Sequence, residues 1–315
     1  MNRMLCASVM ALALAGCVNM APDHTRPPLA SAPAYDPEYR PDGTVVASTL
    51  SNRDWFIDPR LVALIDTAVA NNRDLIAATA RIEQARAQYR IQDSRRLPTA
   101  VANASASRTR TPLGTVDPAA SGSVITDRFD VGVGVTSFEL DFWGRVANLS
   151  DAARAQYLAT EANQRAFYLS LIADVASTYF ELLETNDQID LAQATLESRQ
   201  EGLRIAQLRL DAGVTSALPF RQAETLLTTA EQQLASEKLA QARLRNQLSV
   251  LVGGGFPAEL PAALPMVAQE NAMVLDAATP SDLMLVRPDI VAAEEQLRAA
   301  RANIGAARAA FFQSI

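Results

Sequence analysis

The sequence predicts a mainly α protein with a small β part: a long antiparallel coiled-coil hairpin of helices plus one β-hairpin whose strands could cross a bilayer. Three observations predict it. Ala, Leu, Gln, Glu and Arg are prominent in a chain of 315 residues that is 49% hydrophobic yet only 6% aromatic, which suits long helices better than a mixed α/β core. Residues 145–211 hold no proline and repeat apolar side chains in steps of three and four. Two alternating segments, residues 99–108 and 128–137, flank a loop containing Pro, Gly and Ser.

Composition also excludes function classes. A formal charge of -7, with no basic run, argues against a nucleic-acid partner. One His and two Cys leave almost nothing for a metal site. Carboxylate pairs such as Glu181 and Glu184, or Glu294 and Glu295, read as solvated or seam-flanking helix charges without a His or Cys to perturb them. No catalytic residue, metal or cofactor is expected.

At the N-terminus, residues 1–16 form a signal: Arg3 supplies charge, residues 4–15 an apolar core too short to span a bilayer stably. It closes on Leu14-Ala15-Gly16-Cys17, which resembles a bacterial lipobox and implies cleavage before Cys17 and diacylation of its thiol. Several acyl chains on Cys17 would give lasting attachment where one would not. Val18 after the Cys resembles the sorting pattern of outer-membrane lipoproteins. Residues 17–53 then form a Pro-rich lipidated tether, because repeated Pro fixes φ and removes donors. His24 reads as a solvated tether residue.

Residues 54–97 make an upper helix, opened by Asp58-Pro59 and ended by Pro98. Residues 98–138 are the β-hairpin, with Ala100, Ala102, Ala104 and Ala106 on one face of the first strand. Phe129, Val131, Val133 and Val135 share one face of the second. Strands of about ten residues are long enough to cross a bilayer at a tilt; a hairpin on a soluble domain is the alternative.

Residues 139–252 are a long helical hairpin. Its seam runs Ile172, Val175, Tyr179, Leu182, Asn186, Ile189, Gln193, Leu196, Gln200, Leu203, Gln207 and Leu210, polar at alternate steps from Asn186 on. Such a helix measures about 100 Å. The tip lies at residues 211–220, with Gly213 as a left-handed cap, Thr215 or Ser216 as N-cap and Pro219 in the next first turn. The return helix carries Leu227, Ala230, Leu234, Leu244, Leu248 and Leu251, interrupted by Glu237 and Gln241.

Residues 253–285 connect. Their opening "GGGFP" reads as a helix stop, since no Gly-Lys-Ser/Thr of a phosphate loop follows. Residues 286–315 start a second repeat, in which 289–315 match 74–100 in register: Asp74 meets Asp289, Ile82 meets Leu297, Arg86 meets Arg301 and Leu97 meets Phe312. The second copy is cut short.

The lipobox, "DWFIDPRLVALIDTAVANNRDL" (54–75), "VTSFELDFWGRV" (135–146), "DAGVTSALPFRQAET" (211–225), "VLVGG" (250–254) and "VRPDIVAAEEQLRAARANIGAARAAFF" (286–312) together closely resemble the lipoproteins of the TolC-like outer-membrane factor family. The resemblance implies a homotrimer in the bacterial outer membrane, anchored in its lipid. Each protomer gives strands to a shared barrel and helices to a periplasmic tunnel. It also implies docking on a periplasmic adaptor and a resistance-nodulation-division pump, with export of drugs or other small toxic molecules. Carried over residue by residue, Cys17 is the lipid anchor and Gly213, Val214, Thr215, Ser216, Ala217 and Leu218 are the adaptor-contacting tip. Pro219 and Gln313 depart from the family's Asp and Pro. The missing second hairpin implies a truncated gene model, a frameshift or a fragment that does not conduct as a trimer. A periplasmic adaptor lipoprotein is the alternative, but it needs β-rich halves on both sides of the helical hairpin; an envelope enzyme lacks the residues.

Overall fold

The computed structural model describes residues 19–28, 51–113, 121–135, 138–257, 259–269 and 281–312. Cys17, Gln313 and most of the tether lie outside them. The described elements are α1 (Asn52–Trp55), α2 (Pro59–Asn71), α3 (Arg73–Ser94), β1 (Ala100–Pro112), β2 (Ser123–Val135), α4 (Arg145–Asp211), α5 (Ala217–Val252) and α6 (Pro288–Ala309), with 3-10 turns at Met266–Ala268 and Ser281–Val286. The fold is therefore mainly helical with one antiparallel β-hairpin, as the periodicities predict.

The chain divides into two compact units. One comprises Met1–Arg26, Glu83–Ala159 and Ala293–Ile315, the other Pro27–Ile82 and Thr160–Ala292.

In the larger unit, α2 starts where Asp58 accepts the Arg60 N–H at 2.8 Å and Pro59 supplies a helical φ without an N–H to satisfy. Its buried stripe, Leu61, Leu64, Ile65 and Ala68, packs with Leu171, Val175 and Tyr179 of α4 and Leu248 and Val252 of α5. Each large side chain removed from water contributes about 1.5–3 kcal/mol. The single helix expected over residues 54–97 is broken at Asn72, whose ψ of 123° is extended. Asn72 is buried because its side chain serves two chain ends: Oδ1 accepts the Leu75 N–H and Nδ2 donates to the Leu251 carbonyl, each at 2.9 Å. Beside it, α5 ends on Gly253 with φ +92°; a Cβ there would lie 2.3 Å from the Asn71 carbonyl oxygen. Only glycine fits both that φ and that approach.

The seam between α4 and α5 corrects the sequence reading in its lower half. Asn186 does sit in it, accepting from Gln241 Nε2 at 2.6 Å, so the polar interruptions of the two helices answer each other. Gln193 and Gln200 are exposed instead, and Ala192 is the buried residue there. Leu196, Leu203, Gln207 and Leu210 stay half-buried, so the lower seam keeps its aliphatic positions and leaves Gln193 and Gln200 in solvent.

In the smaller unit the buried helix positions are small: Ala152, Ala155 and Ala159 of α4, and Ala299, Ala302 and Ala306 of α6. Helices α3 and α6 have equal length, 22 residues each, and Asp74 and Asp289 both stand at the second position. His24 is not a solvated tether residue. Its Nε2 lies 3.0 Å from Glu294 Oε1, and Arg26 and Arg298 pair with the same carboxylate. Glu294 and Glu295 are likewise not free surface charges; Glu295 is buried and bonded to Arg298 at 2.5 Å. Their partners come from the N-terminal segment and from one helical turn on, contacts that a carboxylate census along the sequence does not register.

Candidate functional site

Two features of the fold have no internal use, one in each unit. The first is the β-hairpin. Its antiparallel register sets Ala100 opposite Val135, Ala102 opposite Val133, Ala104 opposite Val131 and Ala106 opposite Phe129. Residues directly opposite share a sheet face, so the two apolar stripes form one surface. No described residue covers it: Phe129 is 78% exposed and Val131 85%. The opposite face carries Asn103, Ser105, Ser107 and Thr109 against Gly132, Asp130, Arg128 and Thr126. Gly132 has a local reason, since Asn103 Oδ1 lies 3.1 Å from where its Cβ would be.

The strands run further than the alternation predicts, to Pro112 and back from Ser123. The next rung on the apolar face is an ion pair, with Arg108 Nε and Nη2 on the two oxygens of Asp127 at 2.5 and 2.8 Å. A paired Arg and Asp at this position bound the apolar band. Their opposite charges at matching distance from the turn were the sequence signal for the longer ladder. Among the described residues the sheet is β1 paired with β2 alone. A two-stranded hairpin with an apolar face is marginal in water, and its outer backbone groups need further strands before they can sit in lipid.

The second feature is the turn between α4 and α5. Gly213 has φ +69°, its N–H bonds the Leu210 carbonyl, and the Val214 N–H bonds the Arg209 carbonyl, closing the last turn of α4. Ser216 precedes α5 with an extended backbone but makes no side-chain cap, and Thr215 is half-buried. Ala217 opens α5 and Pro219 lies in its first turn. Val214 is 73% and Leu218 64% exposed. Asp211 accepts from Gln207 Nε2 and Arg221 pairs with Glu224, each within its own helix and at 2.7 Å, and no charged residue stands from Ala212 to Phe220. The turn thus offers apolar contacts without an unpaired charge at its centre. The structure brings Gly213 to Leu218 together in one turn. Cys17 lies outside the described residues.

No group of three or more His, Cys, Asp or Glu able to hold a metal occurs among the described residues.

Residues 64–254 match the family model described as outer membrane efflux protein. Among similar proteins, the solvent efflux pump outer membrane protein SrpC of Pseudomonas putida is 41% identical over 310 residues, covering 96% of this chain and 65% of its own length. The cation efflux system protein CusC of Escherichia coli O6:H1 is 36% identical over 311 residues, 97% of this chain and 65% of that protein. Among solved structures, the open state of the MtrE outer membrane channel of Neisseria gonorrhoeae superposes with a TM-score of 0.73 at 37% identity, over 94% of this chain and 65% of that one. The chain therefore spans about 65% of the length of these relatives. The family match covers the helices that frame the exposed hairpin and the whole of α4, the tip turn and α5, and by it the chain belongs to the outer membrane efflux protein family.

Proposed function

We propose that the chain contributes the outer-membrane channel of a tripartite efflux system. In this reading the hairpin adds two strands to a shared transmembrane barrel, and the α4–α5 hairpin forms part of a periplasmic tunnel. The carrying observation is the register of β1 on β2, which gathers the alternate residues Ala100, Ala102, Ala104 and Ala106 with Phe129, Val131, Val133 and Val135 on one uncovered apolar face, while the other face is polar from Asn103 to Thr109 and from Thr126 to Asp130, between Val101 and Val124 at its ends. That division suits lipid on one side and a water-filled passage on the other.

The remaining parts follow the same reading. Cys17, acylated, anchors the N-terminus in outer-membrane lipid. Gly213, Val214, Thr215, Ser216, Ala217 and Leu218 meet the periplasmic adaptor of a resistance-nodulation-division pump, and protomers assemble as a homotrimer. The cargo is a small toxic molecule; the names of the relatives include solvent and cation efflux.

The test is a chimera in which this chain replaces the matching 65% of a relative such as MtrE, expressed with that relative's pump and adaptor in a host lacking its own channel. Restored drug resistance supports the reading. A chimera that reaches the outer membrane as a trimer yet leaves the host susceptible overturns it.

A further inference from the structure

The described N-terminal residues run antiparallel along α6. The Met20 carbonyl accepts from Arg308 Nη1 at 3.3 Å and the Asp23 carbonyl from Arg301 Nη1 at 2.7 Å. Between these bonds the segment crosses Gly305, where a Cβ would lie 2.7 Å from both the Cα and the N of Ala21. Further along, Glu294 holds His24 Nε2 at 3.0 Å and Arg26 Nε at 3.2 Å, with a second Arg26 bond through Nη2. Arg298 braces the same carboxylate from within α6 at 3.0 Å.

The matching positions of α3 differ where it matters. In the repeat register Arg301 corresponds to Arg86, but Glu294 corresponds to Thr79 and Gly305 to Arg90. The first copy has no carboxylate at the place of the latch and a long side chain at the place of the close approach.

We infer that residues 19–26 are a strap whose seat exists only on the second copy of the repeat, built by Glu294 as latch and Gly305 as the gap that lets the strap backbone reach the helix. The strap has no helix or strand of its own, so its register along α6 comes from these two positions. Hydrogen bonds from Arg26 and then His24 hold the Glu294 carboxyl down to about 2 against the upward push of burial, so the latch is charged at neutral and mildly acidic pH. The consequence for anchoring rests on the proposed acylation of Cys17: the lipid-bearing end of the chain is then tied to α6. The strap itself needs no lipid.

Pulsed electron–electron distance measurement tests the strap in the full chain with Cys6 and Cys17 replaced by Ser, carrying spin labels at Thr25→Cys and Ala307→Cys. Both positions are exposed and outside the named contacts. One narrow distance is expected, and Gly305→Arg, the residue of the first copy, should abolish the narrow peak. Arg26→Glu, a change confined to the exposed strap, should do the same with helix content by circular dichroism unchanged. A broad distribution in the parent chain, or a narrow peak that survives both substitutions, overturns the inference. Neither result depends on transport, so failure here leaves the channel reading standing.

Discussion

Tyr179 of α4 donates its hydroxyl to Asp58 Oδ2 at 2.6 Å, and both residues are buried. Asp58 also accepts from Gln269 Nε2 at 2.7 Å and from the Leu264 N–H at 3.2 Å, so one carboxylate ties the start of α2 to α4 and to the connector. Burial pushes the Asp58 carboxyl up. The hydrogen bonds from Tyr179, Gln269 and the Arg60 and Leu264 amides outweigh it, leaving the group below its ordinary value. A depressed folded pKa adds stability that is present above the unfolded value near ~4 and is lost as pH falls through the folded value. Tyr179→Phe is expected to destabilise the chain by about 1–3 kcal/mol at pH 7 and to flatten the acid limb of its stability profile. Thermal unfolding in detergent between pH 3 and pH 7 checks this; an unchanged acid limb would remove Asp58 from the account.

Gly253 and Gly213 both have positive φ but differ in space. A Cβ at Gly253 meets the Asn71 backbone, whereas nothing lies within 4 Å of one at Gly213. Gly213→Ala should cost about 1–2 kcal/mol of backbone strain. Gly253→Ala should cost clearly more, because α2 and α5 must also move apart. Equal shifts in melting temperature for the two variants would contradict the packing described at Asn71.

The apolar hairpin face predicts a side-dependent response to charge. Val131→Arg should destabilise membrane insertion by about 2–4 kcal/mol if the residue sits near the bilayer midplane, while Asp130→Asn on the polar face should leave insertion near the parent level. The fraction of chain recovered in outer membranes reports both. Equal tolerance at the two positions would argue against lipid on the Val131 side.

At the tip, Leu218→Asp and Gly213→Val attack the proposed adaptor contact by different routes. The first places a charge on an exposed apolar contact, and the second forces a β-branched residue to φ +69°. Both should reduce crosslinking to the adaptor while leaving the helix content intact. Undiminished crosslinking in both would move the contact elsewhere.

The Asn186–Gln241 pair predicts a sign reversal. Replacing one partner by Leu leaves the other half-buried and unsatisfied, a loss of about 1–3 kcal/mol, whereas replacing both by Leu should be neutral or stabilising. A double variant less stable than either single one, in thermal unfolding, would show that the pair adds more than its hydrogen bond.

The sequence by itself determined the element types and their order. Heptad spacing marked α4 and α5, alternation marked β1 and β2, and Gly213 marked the turn, because each depends on the period of apolar residues or on backbone sterics within a few positions. The copy of residues 74–100 at the chain's end was equally visible, and α3 and α6 match in length and register. What only the tertiary structure decided are the partners of polar groups. Asn72 as a helix break depends on Leu251, Asp58 on Tyr179 and Gln269, and His24 on Glu294. Local periodicity tells which face of an element is apolar, but not which distant donor reaches a buried acceptor. That pairing follows from how the helices meet, and the same is true of Gly253 and Gly305, whose missing side chains acquire a reason only when another backbone arrives against them.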